Sequence, residues 1–206
     1  MVLTERDRQV LSFLVKYRFC TREHMLRAGF FPSDKVCLRR LGVLAGAKFI
    51  RAGSVGRTRY YFLAPAGGLE VGLTDADTAR RYRDAPAETV VRHLVWGDFA
   101  LARGVGYLDR QEALEELRRL GANLTSSVLL TARGVKLYYS NNDLHVLLAD
   151  TGQANFLRRV KDLARLPPGL FHLDVLVYGR ARQAQLQKVL ASRARRATII
   201  VSTWKY

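Results

Sequence analysis

The sequence predicts an α+β protein built from two domains, and three observations support this prediction. Short helical patterns of apolar residues, each preceded by a capping threonine or serine, fill the first third of the chain. Two strand-like runs follow around a glycine-containing loop, and the second half alternates β runs with helices. With 206 residues and 49% hydrophobic composition, the chain can bury a core in each domain.

The first helix is predicted within LTERDRQVLSFLVKY, where Thr4 is the N-cap and apolar residues recur at helical spacing. Thr21 caps a short second helix, which Gly29 can end in a left-handed turn. Pro32 disfavours helix immediately before it, so that Ser33 caps the third helix. Three consecutive helices are therefore expected before residue 48.

The third helix is expected to bury Val36, Leu41 and Leu44 and to expose its basic residues. Strand-like runs at 49–51 and 58–63 then surround a loop with Gly53 and Gly56. Three short helices followed by such a hairpin form the element order of a winged helix-turn-helix. In that arrangement the third helix enters the major groove of DNA, and the hairpin, or wing, lies along the backbone or in the minor groove.

Charge limits the class of partner. The chain has 34 lysines and arginines against 18 acidic residues, a formal net charge of +16 that favours a polyanion, with nucleic acid as the leading candidate. The basic residues are spread along the chain rather than gathered in a tail, which indicates that they lie on folded elements. We therefore expect double-stranded DNA as the partner.

Some basic residues occupy the positions where a duplex would need cations. In the first domain these are Lys35, Arg39, Arg40, Arg51, Arg57 and Arg59. Arginines on an exposed helix or hairpin are often only solvated surface, but here the element order and the charge agree. Whether Arg39 and Arg40 contact guanine edges or phosphates stays open at this stage.

The domain junction is placed near residue 75. The segment 68–88 is rich in charge, has little apolar periodicity and contains Pro86, which are features of a linker. The predicted domains are therefore 1–75, the winged helix-turn-helix, and 76–206, an α/β sandwich. Within the second domain, helices are expected in AETVVRHLVWGDFALARG, RQEALEELRRLG, QANFLRRVKDLARL and RQAQLQKVLASRARR.

Five β runs are predicted in the second domain. Their ranges are 127–130, 135–139, 144–149, the run FHLDVLVYG and the run ATIIVST. The basic helix between the last two runs contains no acidic residue, which favours contact with phosphate over a merely solvated surface only slightly. Its C-terminal arginines, Arg193, Arg195 and Arg196, are further DNA-binding candidates.

Segments of both domains carry a family resemblance. They are LTERDRQVLSFL, TREHMLRAGF, CLRRLGVLAGAKFIR, RYYFLAPAG and RHLVWGDFALARG. Together they resemble the replication-relaxation family of plasmid and mobile-element proteins. The resemblance implies a winged-helix domain joined to an α/β domain similar to the core of restriction endonucleases.

Such cores bind a catalytic metal through clustered acidic residues on adjacent strands, and this sequence departs from that pattern. Ser126 and Ser127 stand where the first acid is expected, and Asp150 lacks a second acid nearby. Asp150 is better explained as the N-cap of the following helix. We therefore expect no catalytic residue, no metal and no cofactor.

The other titratable residues show no catalytic spacing. His24, His93, His145 and His172 are predicted to be core or surface residues, and Asp143 is predicted to form a turn. A nuclease remains an alternative hypothesis. It would require Asp150 to share one cation with at least one of Asp98, Glu115, Glu116 or Asp143.

The resulting function hypothesis is a non-catalytic, sequence-reading DNA-binding protein that acts as a transcription regulator or replication accessory of a plasmid or mobile element. A homodimer is expected, since one winged helix contacts few base pairs, and a replication or transcription protein is a further possible partner. The remaining alternative is an adaptor whose positive surface binds an acidic protein.

The compartment follows from the cysteines and from hydropathy. Cys20 and Cys37 occur without a secretory leader or a metal-type cluster, which predicts reduced thiols in the cytoplasm, in association with the nucleoid or a plasmid. No apolar run reaches the roughly 18 residues that a spanning helix needs. A membrane role is therefore not expected.

Overall fold

A computed structural model describes residues 1–82, 85–123, 134–151, 155–166, 170–178, 180–190 and 197–202 of the chain. It is a mixed α and β protein, as the sequence predicts. Among these residues, no helix is both long and apolar enough to cross a membrane.

The chain divides into two compact units. The N-terminal unit comprises Met1–Ala102 and the C-terminal unit comprises Arg103–Trp204. This division lies well beyond the expected junction at residues 75 and 76. The difference arises because two further helices and most of a third pack within the N-terminal unit.

The N-terminal unit begins with the three predicted helices, α1 (Glu5–Tyr17), α2 (Arg22–Arg27) and α3 (Asp34–Gly46). All three predicted N-caps are confirmed, because the side chains of Thr4, Thr21 and Ser33 each accept a hydrogen bond from the backbone N–H three residues later. Gly29 adopts a φ of 77° beyond α2, which is the left-handed turn expected there. Buried leucines and Met25 join the helices in one core.

A β-hairpin follows, formed by β1 (Ile50–Val55) and β2 (Thr58–Leu63). The strands are antiparallel, with Ile50 opposite Leu63 and Val55 opposite Thr58. The second strand has the predicted bounds, whereas the first is longer than the predicted run 49–51. The extension through the glycine- and serine-containing part of β1 depends on pairing with β2, which the local sequence does not reveal.

The segment predicted to be a linker instead contains two helices, α4 (Pro65–Glu70) and α5 (Asp75–Tyr82). Pro65 opens α4 at a position where proline favours a helix start. A β-carbon at Gly68 would lie 2.1 Å from the Thr78 hydroxyl oxygen, so glycine permits the close contact of the two helices. The Tyr82 hydroxyl donates a hydrogen bond to the Leu14 carbonyl at 3.0 Å, which fixes the end of α5 on α1.

The last helix of the N-terminal unit is α6 (Ala87–Arg103), which ends at the division between the units. The buried ring of His24 bonds the Asp98 carboxylate with 3.0 Å between Nε2 and Oδ1, and Arg27 donates to the same carboxylate oxygen. Gly97 faces the His24 ring. Of the two predicted places, core or surface, His24 thus lies in the core, and its bond to Asp98 joins α6 to α2.

The C-terminal unit has a four-stranded sheet in the order β3–β4–β5–β6. Its described elements are α7 (Arg110–Arg119), β3 (Val135–Ser140), β4 (Asp143–Ala149), α8 (Phe156–Ala164), β5 (His172–Tyr178), α9 (Arg180–Leu190) and β6 (Ala197–Ser202). The pair β3–β4 is antiparallel, and β4, β5 and β6 are parallel to one another. The predicted β run 127–130 lies outside the described residues.

One face of this sheet forms the apolar core of the C-terminal unit. Alternate residues of β3, β4 and β5, such as Leu137, Val146 and Val175, pack with buried residues of α7, α8 and α9. The opposite face carries the intervening residues of each strand. Because side chains alternate along a strand, the apolar residues at every second position of β3, β4 and β5 lie on the same face of the sheet.

Asp150 does not cap α8. That helix begins at Phe156 after Asn155, and Asp150 instead accepts a hydrogen bond from the Arg182 side chain of α9. Asp143 does lie beside the predicted turn, where Asn141 and Asn142 have φ angles of 51° and 66°. Two consecutive positive φ angles are the pattern of a type I′ hairpin turn, which asparagine tolerates.

Both cysteines are free thiols in the core of the N-terminal unit. Burial raises the pKa of Cys20, and it raises the pKa of Cys37 to about 11. Both side chains therefore remain protonated near neutral pH.

Candidate nucleic-acid interface and pocket

One face of α3 is exposed along its whole length. It carries Lys35, Leu38, Arg39, Gly42, Val43 and Gly46, which recur at intervals of three and four residues. Leu38 and Val43 are 43% and 42% exposed, although both are large and apolar. A β-carbon at Gly42 or Gly46 would meet no atom within 4 Å, so neither glycine is required by packing inside the chain.

Arg39 and Arg40 occupy different environments. Arg39 is exposed, as predicted, whereas Arg40 turns toward α1 and is only 27% exposed. Its Nε donates to Asp7 Oδ1 at 2.7 Å, and its Nη2 donates to the other carboxylate oxygen. The expectation that α3 displays Arg40 is therefore wrong, because a buried carboxylate on α1 holds its guanidinium.

Asp7 is the centre of this contact. It is the third residue of α1, and it accepts hydrogen bonds from the backbone N–H and the hydroxyl of Thr4, each at 2.7 Å. Burial alone would raise its pKa, but the hydrogen bonds from Arg40 and Thr4 outweigh that effect and lower the pKa of Asp7 to about 2. The carboxylate is thus ionised and fully compensated inside the fold.

The hairpin displays the other predicted cations. Arg51 and Arg59 are exposed on the two strands, and Arg57 is exposed at the tip. Gly56, with a φ of 55°, is the first residue of the two-residue turn, which is the type II′ pattern, and Arg57 is the second. Glycine is also required at Gly53, where a β-carbon would lie 2.5 Å from Tyr60 Cζ.

The exposed cations of α3 and the hairpin differ in their pairing from the two arginines of α2. Arg22 binds Asp34 with 2.6 Å between Nε and Oδ1, and Arg27 binds Asp98. Over the described ranges, no acidic side chain pairs with Lys35, Arg39, Arg51, Arg57 or Arg59. These five cations are therefore available to an external anion.

The remaining DNA-binding candidates follow the described part of α9 in the chain. Arg193, Arg195 and Arg196 lie outside the described residues, as do Ser126 and Ser127. The described part of the basic helix, α9, uses Arg182 to pair with Asp150. That arginine is therefore engaged inside the unit.

The acidic residues of the nuclease hypothesis have separate partners. Asp98 binds His24 and Arg27 in the N-terminal unit, Glu116 binds Arg119, and Glu115 accepts from Gln111. In the parts of the chain with described coordinates, no three His, Cys, Asp or Glu side chains are grouped so that they could hold one metal ion.

The C-terminal unit contains a pocket that the sequence interpretation missed. Its lining includes His145, His172, Asp143 and Asp174, which come together on the face of the sheet opposite the apolar core. The signal was present in the sequence as two mirrored triplets, DLH at 143–145 and HLD at 172–174. In a strand, residues two apart share a face, so each triplet places an aspartate and a histidine together.

Comparison with known proteins adds no relative. The chain matches no protein-family model and no curated protein.

Proposed function

We propose that the chain is a double-stranded DNA-binding protein whose N-terminal unit acts as a winged helix-turn-helix. The observation that carries the proposal is the set of exposed cations without acidic partners on α3 and the hairpin. The two elements are adjacent, since α3 contacts β1. A duplex presents phosphates on both sides of a groove, so a helix and a neighbouring hairpin can bind it together.

The exposed face of α3 suits the major groove. Arg39 can donate two hydrogen bonds to the edge of a guanine, and Lys35 near the start of the helix can bind a phosphate. Leu38 and Val43 would contact thymine methyl groups, the apolar feature that base pairs present in this groove. Gly42 and Gly46 let the helix backbone approach the bases closely.

The hairpin would contact the DNA backbone. Arg57 lies at the exposed tip, and Arg51 and Arg59 lie on the two strands, on opposite faces of the hairpin. Such contacts position the protein without reading sequence. In this proposal the duplex is bound and not cut, in keeping with the scattered positions of the acidic residues.

The biological setting rests on the resemblance to the replication-relaxation family alone. It suggests transcription regulation or replication of a plasmid or another mobile element. A homodimer would suit this role, because two copies on two half-sites multiply affinity and specificity.

The test is a fluorescence-anisotropy titration of the full chain against duplex and single-stranded DNA at two salt concentrations. We expect tight duplex binding that weakens steeply with salt. Arg57→Ala should weaken binding similarly for all sequences and reduce the salt slope by about one, because one phosphate contact is lost.

Arg80→Ala is the matched control. It removes the same charge from an exposed residue of the N-terminal unit that pairs with Asp77, and it should leave binding unchanged. Duplex binding that is equal for wild type and Arg57→Ala would contradict the assignment of the hairpin. Absence of any DNA binding would contradict the proposed function itself.

A further inference from the structure

The pocket of the C-terminal unit has a volume of about 390 Å³, within the range of small-ligand sites. It opens on the face of the sheet opposite the apolar core, and all its lining residues belong to this unit. Three of them form a row across neighbouring strands, in which Tyr138 lies opposite His145 and His145 lies opposite His172. Each ring stacks on the next with centroids 4.9 Å apart.

Asp174 organises one histidine of this row. Asp174 is 4% exposed, and its carboxylate accepts a hydrogen bond from the Tyr138 hydroxyl and another from His145 Nδ1, the latter at 2.7 Å. Burial and the bond to Asp174 raise the pKa of Tyr138, so its hydroxyl remains a donor. Because a carboxylate only accepts, Nδ1 of His145 carries a proton, and in the neutral ring Nε2 therefore bears the lone pair.

Nε2 of His145 is available to a ligand. Within the described residues it has no hydrogen-bond partner, and the side chain, 19% exposed, lines the pocket. A buried carboxylate bonded to Nδ1 is the arrangement that orients a histidine as a general base. The fold thus holds this ring in one tautomer and one orientation.

The second histidine is suited to the opposite proton transfer. His172 lies against His145, and its Nε2 is 3.3 Å from Asp143 Oδ2. The carboxylate of Asp143 compensates the charge of a protonated His172 ring. A base and an acid therefore stand side by side in one pocket.

Arg103 and the net charge of the whole chain indicate the substrate. Arg103 contributes a guanidinium to the lining, and the chain as a whole is strongly basic, which favours a phosphate-bearing polymer. RNA carries its own nucleophile, the 2′-hydroxyl, next to each phosphate. A histidine base is sufficient to activate it.

We propose that this pocket is an acid–base site that cleaves RNA by internal transesterification. His145 Nε2 accepts the proton of a ribose 2′-hydroxyl while the 2′-oxygen forms a bond to the adjacent phosphorus. The bond from phosphorus to the 5′-oxygen breaks, and that oxygen takes a proton from protonated His172. The products are a 2′,3′-cyclic phosphate and a 5′-hydroxyl, with no electron gained or lost, and exchange with water restores both rings.

Three further residues of the pocket support this reaction. Arg103 would neutralise the charge that develops on the phosphate oxygens. Asp174 and Tyr138 are positioning residues, because they contact His145 rather than the substrate.

The experiment uses the full chain and a short end-labelled RNA in the presence of EDTA, with products resolved on a gel. We expect cleavage with 2′,3′-cyclic phosphate ends, and none of the same sequence with 2′-O-methyl groups. His145→Ala and His172→Ala should each reduce the rate at least about 100-fold, the usual contribution of one acid or base. Asp174→Asn should lower kcat with little change in KM.

Controls separate this proposal from folding defects and from DNA binding. Tyr139→Phe alters a neighbouring tyrosine that bonds Glu116 outside the pocket, and it should cleave at the wild-type rate. His145→Gln is a second variant for the case in which the alanine substitution unfolds the unit. A thermal melt of each variant detects such unfolding. Arg80→Ala, which removes an exposed cation outside both the pocket and the proposed DNA surface, should also cleave at the wild-type rate.

Three outcomes would overturn the proposal. They are no cleavage by the folded wild-type protein, cleavage that survives in both histidine variants, and cleavage of the 2′-O-methyl strand. None of them bears on duplex DNA binding by the N-terminal unit.

Discussion

At the scale of single residues, neighbouring arginines of α3 have opposite roles. Arg39 is exposed and unpaired within the described chain, whereas Arg40 bonds the buried carboxylate of Asp7. Sequence spacing placed both on the exposed surface, because position on a helix does not reveal a carboxylate on another helix. The Asp7–Arg40 pair is 33 residues apart in sequence, so only the fold identifies it.

The two arginines should respond differently to substitution. Arg40→Ala leaves a buried charge uncompensated and should lower the free energy of unfolding by about 2 to 4 kcal/mol. Arg39→Ala should leave stability unchanged and weaken DNA binding. Urea unfolding and anisotropy measured on both variants check this, and equal stability loss in the two would contradict the assignment.

The Asp7 carboxylate should make the free energy of unfolding depend on pH in the acid range. Its pKa is about 2 in the fold against an ordinary value of 3.8, so its contribution is fully present above the ordinary value and is lost as pH falls toward 2. The shift corresponds to about 2 kcal/mol. The difference in unfolding free energy between wild type and Asp7→Asn should shrink over this interval, and a constant difference would refute the role.

At the scale of elements, local signals were sufficient wherever the sequence carried caps and periodicity. Thr4, Thr21 and Ser33 begin their helices as predicted, and β2 has the predicted bounds. The prediction of a linker at 68–88 was wrong because α4 and α5 are short, rich in charge and stabilised by tertiary contacts. Tyr82, which stacks on Phe62 and bonds Leu14, shows how a polar segment is held by distant partners.

The exposed apolar side chains of α3 lead to a prediction about thymine. Replacing thymine by uracil in a bound duplex removes only the methyl group, so binding should weaken several-fold where Leu38 or Val43 contacts it. The doubly substituted Leu38→Ala, Val43→Ala protein should bind the two duplexes equally. Loss of salt-dependent binding to both duplexes would instead indicate misfolding, which a thermal melt detects.

At the scale of the molecule, the division after Ala102 has a consequence for truncation. A fragment of residues 1–102 should unfold cooperatively and bind duplex DNA, because it retains Tyr82 on α1 and Asp98 on His24. A fragment of residues 1–75 loses both contacts and should melt at a much lower temperature. Thermal unfolding of the two fragments, followed by circular dichroism, tests this prediction. Equal melting temperatures would instead support a domain boundary near residue 75.

The sequence did not predict the pocket of the C-terminal unit, because distant segments of the chain form it. The triplets at 143–145 and 172–174 each predict one shared face, but they are far apart in the chain. Only the register of β4 and β5, which sets His145 opposite His172, joins them. Parallel strand pairing has no local signature, since the partners are connected by a long crossover.

The buried thiols make the protein convenient for site-specific labelling. Cys20 and Cys37 are each 0% exposed, and burial raises the pKa of both. A thiol-reactive dye therefore cannot reach either side chain, and neither thiol forms the thiolate that would react with the dye. A single cysteine introduced at the exposed Ser54 of the hairpin would therefore be the sole reactive position. A dye attached there could report the arrival of DNA at the hairpin in real time, with the native core left unaltered.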